Sequence, residues 1–256
     1  MENKHYVEIA DKYNTQLFYN DTKYINWIIS KIIPIFSTSY TLSQSNKDIT
    51  IIADIGGGTG NFTQKLADAL NFIPSQKILC IDPNSNMLEQ AHVYPNIKCI
   101  LLDAIAFSQE LEYSYDYALM KEVIHHIPKQ YYNTLFSGIY KQIRHNLLII
   151  TRPQNVEYPF FPQAHNIWKN NQPPSEDIIS SLNNVGFIVE VKTYSFLIKI
   201  NKYVWFNMIK NRFWSIFSLC TDDEINNGIQ FLTLKYANSE YLTFYDNLIF
   251  IIAKKL

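Results

Sequence analysis

The stretch Ile49–Gly60 reads Ile-Thr-Ile-Ile-Ala-Asp-Ile-Gly-Gly-Gly-Thr-Gly. Its apolar, β-branched first half is typical of a buried parallel strand. It then passes through alternating glycines into an amphipathic segment, Asn61–Leu70, that is predicted to be a helix. Glycines allow a backbone to approach a ligand closely, and a helix start offers free N–H groups and a positive dipole end. The stretch therefore predicts a loop that binds a small polar or anionic ligand.

The spacing of the glycines narrows the choice of ligand. A dinucleotide fingerprint needs G-x-G-x-x-G, but its third glycine would fall on Asn61 or on Thr63. A Walker loop needs Gly-Lys-Ser/Thr, and Gly60 is followed by Asn61. An acid, Asp54, stands two residues before the first of three alternating glycines. This pattern resembles the first motif of the class I S-adenosylmethionine (SAM) methyltransferases, in which the acid helps to hold the ammonium group of SAM.

Two later strand-like runs also end in an aspartate. Lys77–Asp82 precedes the helical segment Asn84–Ala91, and Ile97–Leu102 precedes Asp103. In a doubly wound sheet, ligands bind at the carboxyl ends of the strands, where a carboxylate can accept both ribose hydroxyls of a nucleoside. The resemblance implies that Asp82 has this role and that Asp103 accepts the adenine amino group, with a helix-capping acid as the alternative at Asp103.

The resemblance also implies other cofactor contacts. Met87 matches a position that often touches adenine, although a core methionine is equally consistent with the sequence. The pattern Tyr6, Ala10, Tyr13 resembles an N-terminal cover of the SAM pocket, or an aromatic stripe that packs a helix onto the domain. The predicted cofactor-binding set is Asp54, Gly56, Gly57, Gly58, Gly60, Asp82, Pro83, Met87, Asp103, Ala104, Lys121 and Tyr13.

The fourth strand, Tyr115–Met120, leads into a turn that contains His125 and His126, followed by a predicted helix over Lys129–His145. The turn lacks the Asn/Asp-Pro-Pro-aromatic box of DNA amino methyltransferases and the Pro-Cys of cytosine C5 enzymes. It resembles small-molecule methyltransferases, including those of the ubiquinone and menaquinone type. Imidazole is suited to removing a proton near neutral pH, so either histidine is a candidate base. Packing against the cofactor is the alternative, and Glu122 is a less favoured base.

The rest of the chain is predicted to complete the sheet and to form a cap. The predicted strands are Asn146–Thr151, Phe187–Thr193 and an antiparallel last strand, Tyr245–Lys254. A helix over Ser175–Gly186 is predicted to have Ser175 as its N-cap. Aromatic residues crowd Gln154–Pro174 and the helical run Lys202–Phe217, and a second helical run, Asp222–Ala237, follows. These segments are predicted to enclose a methyl acceptor, and the candidate substrate residues are Trp168, Trp205 and Arg212. Solvated surface charge is the alternative for Arg212.

Composition limits the function classes. The chain has 256 residues, a net charge of −1 and a pI near 6.6, and it lacks a basic run that would bind nucleic acid. Its longest apolar stretch, Ile25–Phe36, contains Lys31 and Pro34 and is too short to span a bilayer. The first residues lack a signal-peptide core, so a cytoplasmic protein is expected. The three cysteines have no metal-ligand spacing, and we expect reduced, buried thiols and no metal site.

These observations predict one α/β domain with the three-layer α/β/α class I methyltransferase fold, a seven-stranded sheet with an antiparallel last strand and a helical cap. Its predicted parts are an N-terminal helical cover (1–45), a SAM-binding core (46–193), an aromatic cap (194–244) and the last strand (245–256). The predicted function is SAM-dependent methylation of an oxygen, nitrogen or carbon atom of a small, partly apolar molecule, with S-adenosylhomocysteine (SAH) as product. The alternatives are a tRNA or protein methyltransferase and a catalytically silent partner protein. A homodimer through the cap is a further expectation.

Overall fold

A computed structural model describes residues 21–43, 51–72 and 77–255. Its strands are β1 (Ile52–Ile55), β2 (Ile78–Asp82), β3 (Ile97–Leu101), β4 (Tyr115–Lys121), β5 (Ile143–Thr151), β6 (Ile188–Asn201) and β7 (Tyr241–Lys254). Its α-helices are α1 (Thr22–Ser43), α2 (Asn61–Ala69), α3 (Ser85–Ala91), α4 (Ala104–Gln109), α5 (Tyr132–Gln142), α6 (Pro162–Asn171), α7 (Ser175–Val185), α8 (Lys202–Lys210) and α9 (Asp222–Lys235).

The strands form one seven-stranded sheet in the order β3-β2-β1-β4-β5-β7-β6. Neighbours from β3 to β5 are parallel, whereas the last strands are antiparallel, which confirms the predicted class I sheet. β1 lies between β2 and β4, and its Asp54 is in register with Cys80 and Leu119. The carboxyl ends of β1, β2 and β4 therefore meet where the winding of the sheet changes direction, which is the usual ligand position in such a sheet.

Burial explains why the central strands form where they do. Each of the four residues of β1 is buried, as are the first four of β2. A strand that is covered on both faces needs a continuous apolar run, and the β-branched run before Gly56 supplies it. Asp54 is the exception within β1, since it is a carboxylate that is only 3% exposed.

α1 lies within the predicted N-terminal helical cover. Pro34 predicts that a helix over Ile25–Phe36 ends or kinks at this residue; the helix does not end there, because α1 continues through Pro34 to Ser43. Proline removes one backbone hydrogen bond, whereas the side chains of Tyr24, Ile28 and Ile32 are almost fully buried. Burial of this face outweighs the loss of one hydrogen bond.

The predicted helix over Lys129–His145 is wrong at both ends. Lys129–Tyr131 forms a 3₁₀ turn, α5 ends at Gln142, and residues 143–145 belong to β5. Strand pairing explains the later boundary, because Ile143 pairs with Tyr115 of β4 and Arg144 Nη1 lies 3.1 Å from Asp116 Oδ1.

β6 and β7 are longer than predicted, and they take residues assigned to the cap. β6 extends to Asn201 rather than Thr193, and β7 begins at Tyr241 rather than Tyr245. The early part of β7 alternates between exposed and buried residues, so it pairs in the sheet although it lacks the continuous apolar run of β1. The N-cap prediction for Ser175 also differs, since Ser175 is the first residue of α7 itself.

The chain forms two compact units. Of the described residues, the first unit comprises those up to 151, together with 175–192 and 250–255, and the second comprises 152–174 and 193–249. In the first unit, Cys80 is buried and Cys99 is half-buried, and in the second, Cys220 is buried; all three thiols are free. None of the helices in the described ranges is both long and apolar enough to cross a membrane.

Candidate active site

A cavity of about 690 Å³ lies in the first unit, within the size range of small-molecule sites. It lies at the carboxyl ends of β1 to β4. The predicted cofactor residues that line it are Asp54, Gly56, Gly57, Gly58, Asp82, Pro83, Met87, Asp103, Ala104 and Lys121. Gly60 does not line it, and Tyr6, Ala10 and Tyr13 lie outside the described residues. The structure therefore brings ten predicted residues together around one space.

The glycine loop is tied to β2 and has little room for side chains. The Gly56 and Gly57 amides donate to the Ile81 carbonyl at 2.7 and 3.0 Å. Gly56 has a φ of +80°, and a Cβ there would lie 2.2 Å from a methyl group of Val123. At Gly58, φ is +56° and a Cβ would meet nothing within 4 Å. Packing against the protein thus requires glycine at 56, whereas Gly58 borders open cavity space that a ligand can approach.

Asp54 is a buried acid with one strong internal donor. The Thr63 hydroxyl donates to its Oδ2 at 2.6 Å. Burial raises the pKa of Asp54 to about 6, Asp82 adds to that rise, and the Thr63 hydrogen bond and the positive charge of Lys121 oppose it. A ligand cation beside Asp54 would stabilise the ionised carboxylate and would therefore be attracted to this position. Thr63 was missed by the sequence analysis, although it faces Asp54 one helical turn into α2.

Asp82 is held at the end of β2 by two backbone donors. Its Oδ1 accepts from the Asn84 amide at 2.9 Å, and its Oδ2 accepts from the Gly58 amide at 3.0 Å. Burial raises the pKa of Asp82, while these two hydrogen bonds lower it. Each carboxylate oxygen retains a second lone pair, so the group is oriented and can still accept ligand hydroxyls.

Asp103 and Asn84 both cap helices at the cavity wall. Asp103 Oδ1 accepts from the Ile105 and Ala106 amides at 3.0 and 2.8 Å, which is the helix-cap alternative considered for this residue. Its contact with adenine stays a prediction. Asn84 caps α3 by accepting from the Met87 amide at 3.2 Å, and it lines the cavity as well. Asn84 was predicted to be part of a helix and was not predicted as a cavity residue.

The histidine turn separates the two candidate bases. The turn is a 3₁₀ segment, Ile124–His126, and the two imidazole centroids are 4.0 Å apart. His126 is exposed and lines the cavity, whereas His125 is half-buried and is not among the lining residues. Pro128 and Tyr131 continue the wall beyond His126. Tyr131 was not predicted, and its only signal is an aromatic residue shortly after the turn.

The three predicted substrate residues lie in the second unit, where each has a structural partner. Trp168 Nε1 donates to the Pro153 carbonyl at 3.0 Å, and Trp205 Nε1 donates to the Pro159 carbonyl at 2.9 Å. The Arg212 guanidinium donates to the Cys220 carbonyl and to Asp222, both at 2.7 Å. These contacts account for the three side chains within their own unit, and their binding of a substrate stays a prediction.

A second feature of that unit is a buried ion pair. Arg152 donates to both carboxylate oxygens of Asp246, at 2.8 and 3.1 Å, and the Tyr158 hydroxyl also donates to Asp246. Asp246 is completely buried and Arg152 is 7% exposed. Aromatic rings surround Tyr158, including those of Trp168, Trp205 and Phe244 at centroid distances of 5.5 to 5.7 Å. The charges are therefore paired within an apolar core.

The sheet order is that of the class I methyltransferase fold, and acids at the ends of the strands line its cavity. Residues 53–146 match the family model described as "Methyltransferase domain". The predictions of the family, the enzyme class and SAM as cofactor are thereby confirmed. A comparison with curated protein sequences gives no match.

Solved structures share the fold at low sequence identity. A protein from Anabaena variabilis, assigned as a methyltransferase of an antibiotic biosynthesis pathway, is 18% identical with a TM-score of 0.62, covering 90% of this chain and 96% of that one. A SAM-dependent methyltransferase from Archaeoglobus fulgidus is 18% identical with a TM-score of 0.54 and coverages of 90% and 94%. Magnesium protoporphyrin IX methyltransferase from Synechocystis, with bound SAH, is 13% identical with a TM-score of 0.54 and coverages of 98% and 93%.

Proposed function

We propose that this enzyme methylates an oxygen, nitrogen or carbon atom of a small, partly apolar molecule. One observation carries the proposal: a single cavity joins the predicted SAM residues to an exposed histidine turn. The turn contributes both apolar and polar groups to the wall, namely Ile127, Pro128, Tyr131 and His126. A relative of the same fold from Synechocystis is a magnesium protoporphyrin IX methyltransferase, and its small-molecule substrate is consistent with this class of acceptor.

The residues of the cavity supply binding, alignment and a base. SAM, when bound, offers a methyl group activated by its sulfonium sulfur. In the proposed arrangement Asp82 would accept from the ribose hydroxyls and Asp54 would face the ligand ammonium. Ile127 and Pro128 would present an apolar surface to the acceptor and help to align it for methyl transfer. His126 accepts the proton that a hydroxyl or ammonium acceptor must lose.

Calorimetric titration with SAM and SAH, with NAD as the control ligand, tests the cofactor site. Asp82→Ala should weaken SAM binding by about 1–3 kcal/mol, since it leaves ligand hydroxyls without a buried acceptor. Glu89→Ala is the matched control, because Glu89 is exposed on the neighbouring helix α3 and does not line the cavity. Normal SAM binding by the Asp82 variant would overturn its assignment to the ribose.

SAM affinity should decrease below pH 6. The pKa of Asp54 is about 6 in the free protein because of burial, and a ligand ammonium favours the ionised carboxylate. Binding is therefore strongest above this pKa and is lost as the pH falls through it. At pH 5 about one carboxyl group in ten is ionised, so the affinity should be about tenfold lower than at pH 7.

The control for this pH dependence is Asp54→Asn. Asp82, Lys121 and Cys80 also lie in this region. Burial raises the pKa of both the Asp82 carboxyl group and the Cys80 thiol, and of these two Asp82 is the carboxylic acid. The asparagine variant should bind SAM weakly with a flatter profile between pH 5 and pH 7. An unchanged profile in that variant would assign the titration to Asp82 instead.

A further inference from the structure

Lys121 is a cation within a cavity that must accept a cationic cofactor. It is the last residue of β4, it is half-buried, and it lines the same space as Asp54 and His126. Its ammonium nitrogen lies 4.9 Å from the ring centroid of Phe62, which also lines the cavity. The ring face and the β4 terminus hold the ammonium group beside the place where the methyl donor is expected to bind.

The charged groups of SAM determine how a cation at position 121 affects binding. SAM has two positive groups, a sulfonium and an ammonium, and a single carboxylate. A lysine ammonium repels both positive groups at short range, and more strongly in a partly desolvated cavity than in water. Asp54 feels the charge of Lys121 in the free protein. Among the described residues that line the cavity, Lys121 is the only lysine or arginine, whereas Asp54, Asp82, Asp103 and Glu122 all have carboxyl side chains. Lys121 is therefore the side chain best suited to meet a ligand carboxylate in this space.

We infer that Lys121 binds a ligand carboxylate in this cavity. Two ligands can supply this group: the methionyl end of the cofactor and an acidic methyl acceptor. The inference rests on the proposed function, because it assumes that SAM occupies the cavity. In either case the positive charge of Lys121 offsets the repulsion between the ligand carboxylate and the surrounding acids, Asp54, Asp82 and Asp103.

The test compares Lys121→Met with the wild-type protein by calorimetry, using SAH and decarboxylated SAM, which lacks the carboxylate. If Lys121 binds the cofactor carboxylate, the variant should bind SAH about tenfold to a hundredfold more weakly, the range for a charge-assisted hydrogen bond. Its affinity for decarboxylated SAM should stay at the wild-type value or rise above it, because the variant no longer repels the sulfonium and ammonium groups of this ligand. Lys121→Arg should retain most of the SAH affinity because it retains the charge.

The second arm uses paired acceptors, each a small acid and its own amide, with release of SAH as the readout. If Lys121 binds an acceptor carboxylate, SAH affinity stays unchanged in Lys121→Met, while the wild-type preference for the acids disappears. Lys129→Met is the matched control. Lys129 lies close in the chain but is exposed, is paired with Asp177 at 2.8 Å and is not among the lining residues.

Three results would overturn the inference. Equal loss of SAH and decarboxylated SAM would show that Lys121 only maintains the fold of the site. The other two results apply when Lys121→Met leaves SAH affinity unchanged. A wild-type enzyme that does not prefer acids over their amides would exclude an acceptor carboxylate as the partner of Lys121. A Lys121→Met variant that still prefers the acids would exclude it as well. The proposed function fails separately, since a wild-type protein that binds neither SAM nor SAH would contradict it before any variant is made.

Discussion

Replacing His126 by glutamine should lower kcat by about 10²- to 10⁴-fold, the range for loss of a general base. Of the two adjacent histidines, His126 is the exposed one and lines the cavity. Glutamine retains a polar side chain but cannot accept a proton near neutral pH. SAH affinity should change little, because the substitution removes a group that acts on the acceptor rather than on the nucleoside. The measurement is single-turnover methyl transfer to an acceptor identified by SAH release.

His125→Gln is the internal control, since His125 is half-buried behind the same turn. Its effect on kcat should be clearly smaller than that of His126→Gln. The pH profile of kcat at saturating SAM adds a readout that a packing role would not give. Because cofactor affinity does not limit the rate under this condition, the acid limb of the wild-type profile should disappear in His126→Gln. A larger kcat loss in the His125 variant would move the base to that residue. Wild-type rates in both variants would contradict a histidine base and would leave Glu122, which also lines the cavity, as the remaining candidate.

Asp246→Ala should destabilise the protein by about 3–5 kcal/mol, the usual cost of removing one partner of a buried ion pair. Asp246 is fully buried and accepts from Arg152 and Tyr158, so the substitution leaves a guanidinium and a hydroxyl in an apolar core without their acceptor. Denaturant unfolding measures the loss. Tryptophan fluorescence is a suitable probe, because Trp168, Trp205 and Trp214 all lie in the second unit.

A double variant distinguishes the effect of losing the ion pair from a non-specific loss of stability. Arg152→Met with Asp246→Leu removes both charges and supplies apolar side chains, and such replacements are often neutral or stabilising. The double variant should therefore recover much of the stability lost in Asp246→Ala. An exposed carboxylate on helix α9, Asp223, offers a matched control, and Asp223→Ala should change stability by less than about 0.5 kcal/mol. A loss below about 1 kcal/mol in Asp246→Ala would contradict the burial argument.

The cofactor end of the site could be predicted because its geometry is local. Asp54, Asp82 and Asp103 each follow or end an apolar run, and parallel strands place such ends at one edge of a sheet. The glycine spacing could be interpreted for the same reason. The prediction of the ligand depends on a few consecutive residues of the glycine loop. The backbone conformation of these residues follows directly from their residue types.

Other features depend on distant parts of the chain, which periodicity does not reveal. Arg152 and Asp246 are 94 residues apart in the chain, so the sequence around one of them does not indicate that the other is its partner. Thr63 and Phe62 read as ordinary helix residues until the fold places them beside Asp54 and Lys121. Residues 143–145 fit a helical pattern as well as a strand, and pairing of β5 with β4 decides between them. The choice between His125 and His126 depends on a turn only three residues long.

The contact between Gly56 and Val123 has a consequence for how acceptor selectivity can change. The valine methyl group occupies the space that a side chain at position 56 would need. The glycine loop is therefore packed directly against the residue that precedes the histidine turn. A bulkier residue at 123 would displace both. Pro128 and Tyr131 lie further along the same wall and are solvent-exposed. A mutant library for new acceptors should therefore vary positions 128 and 131 and hold position 123 constant, so that selectivity can be altered without loss of the methyl donor.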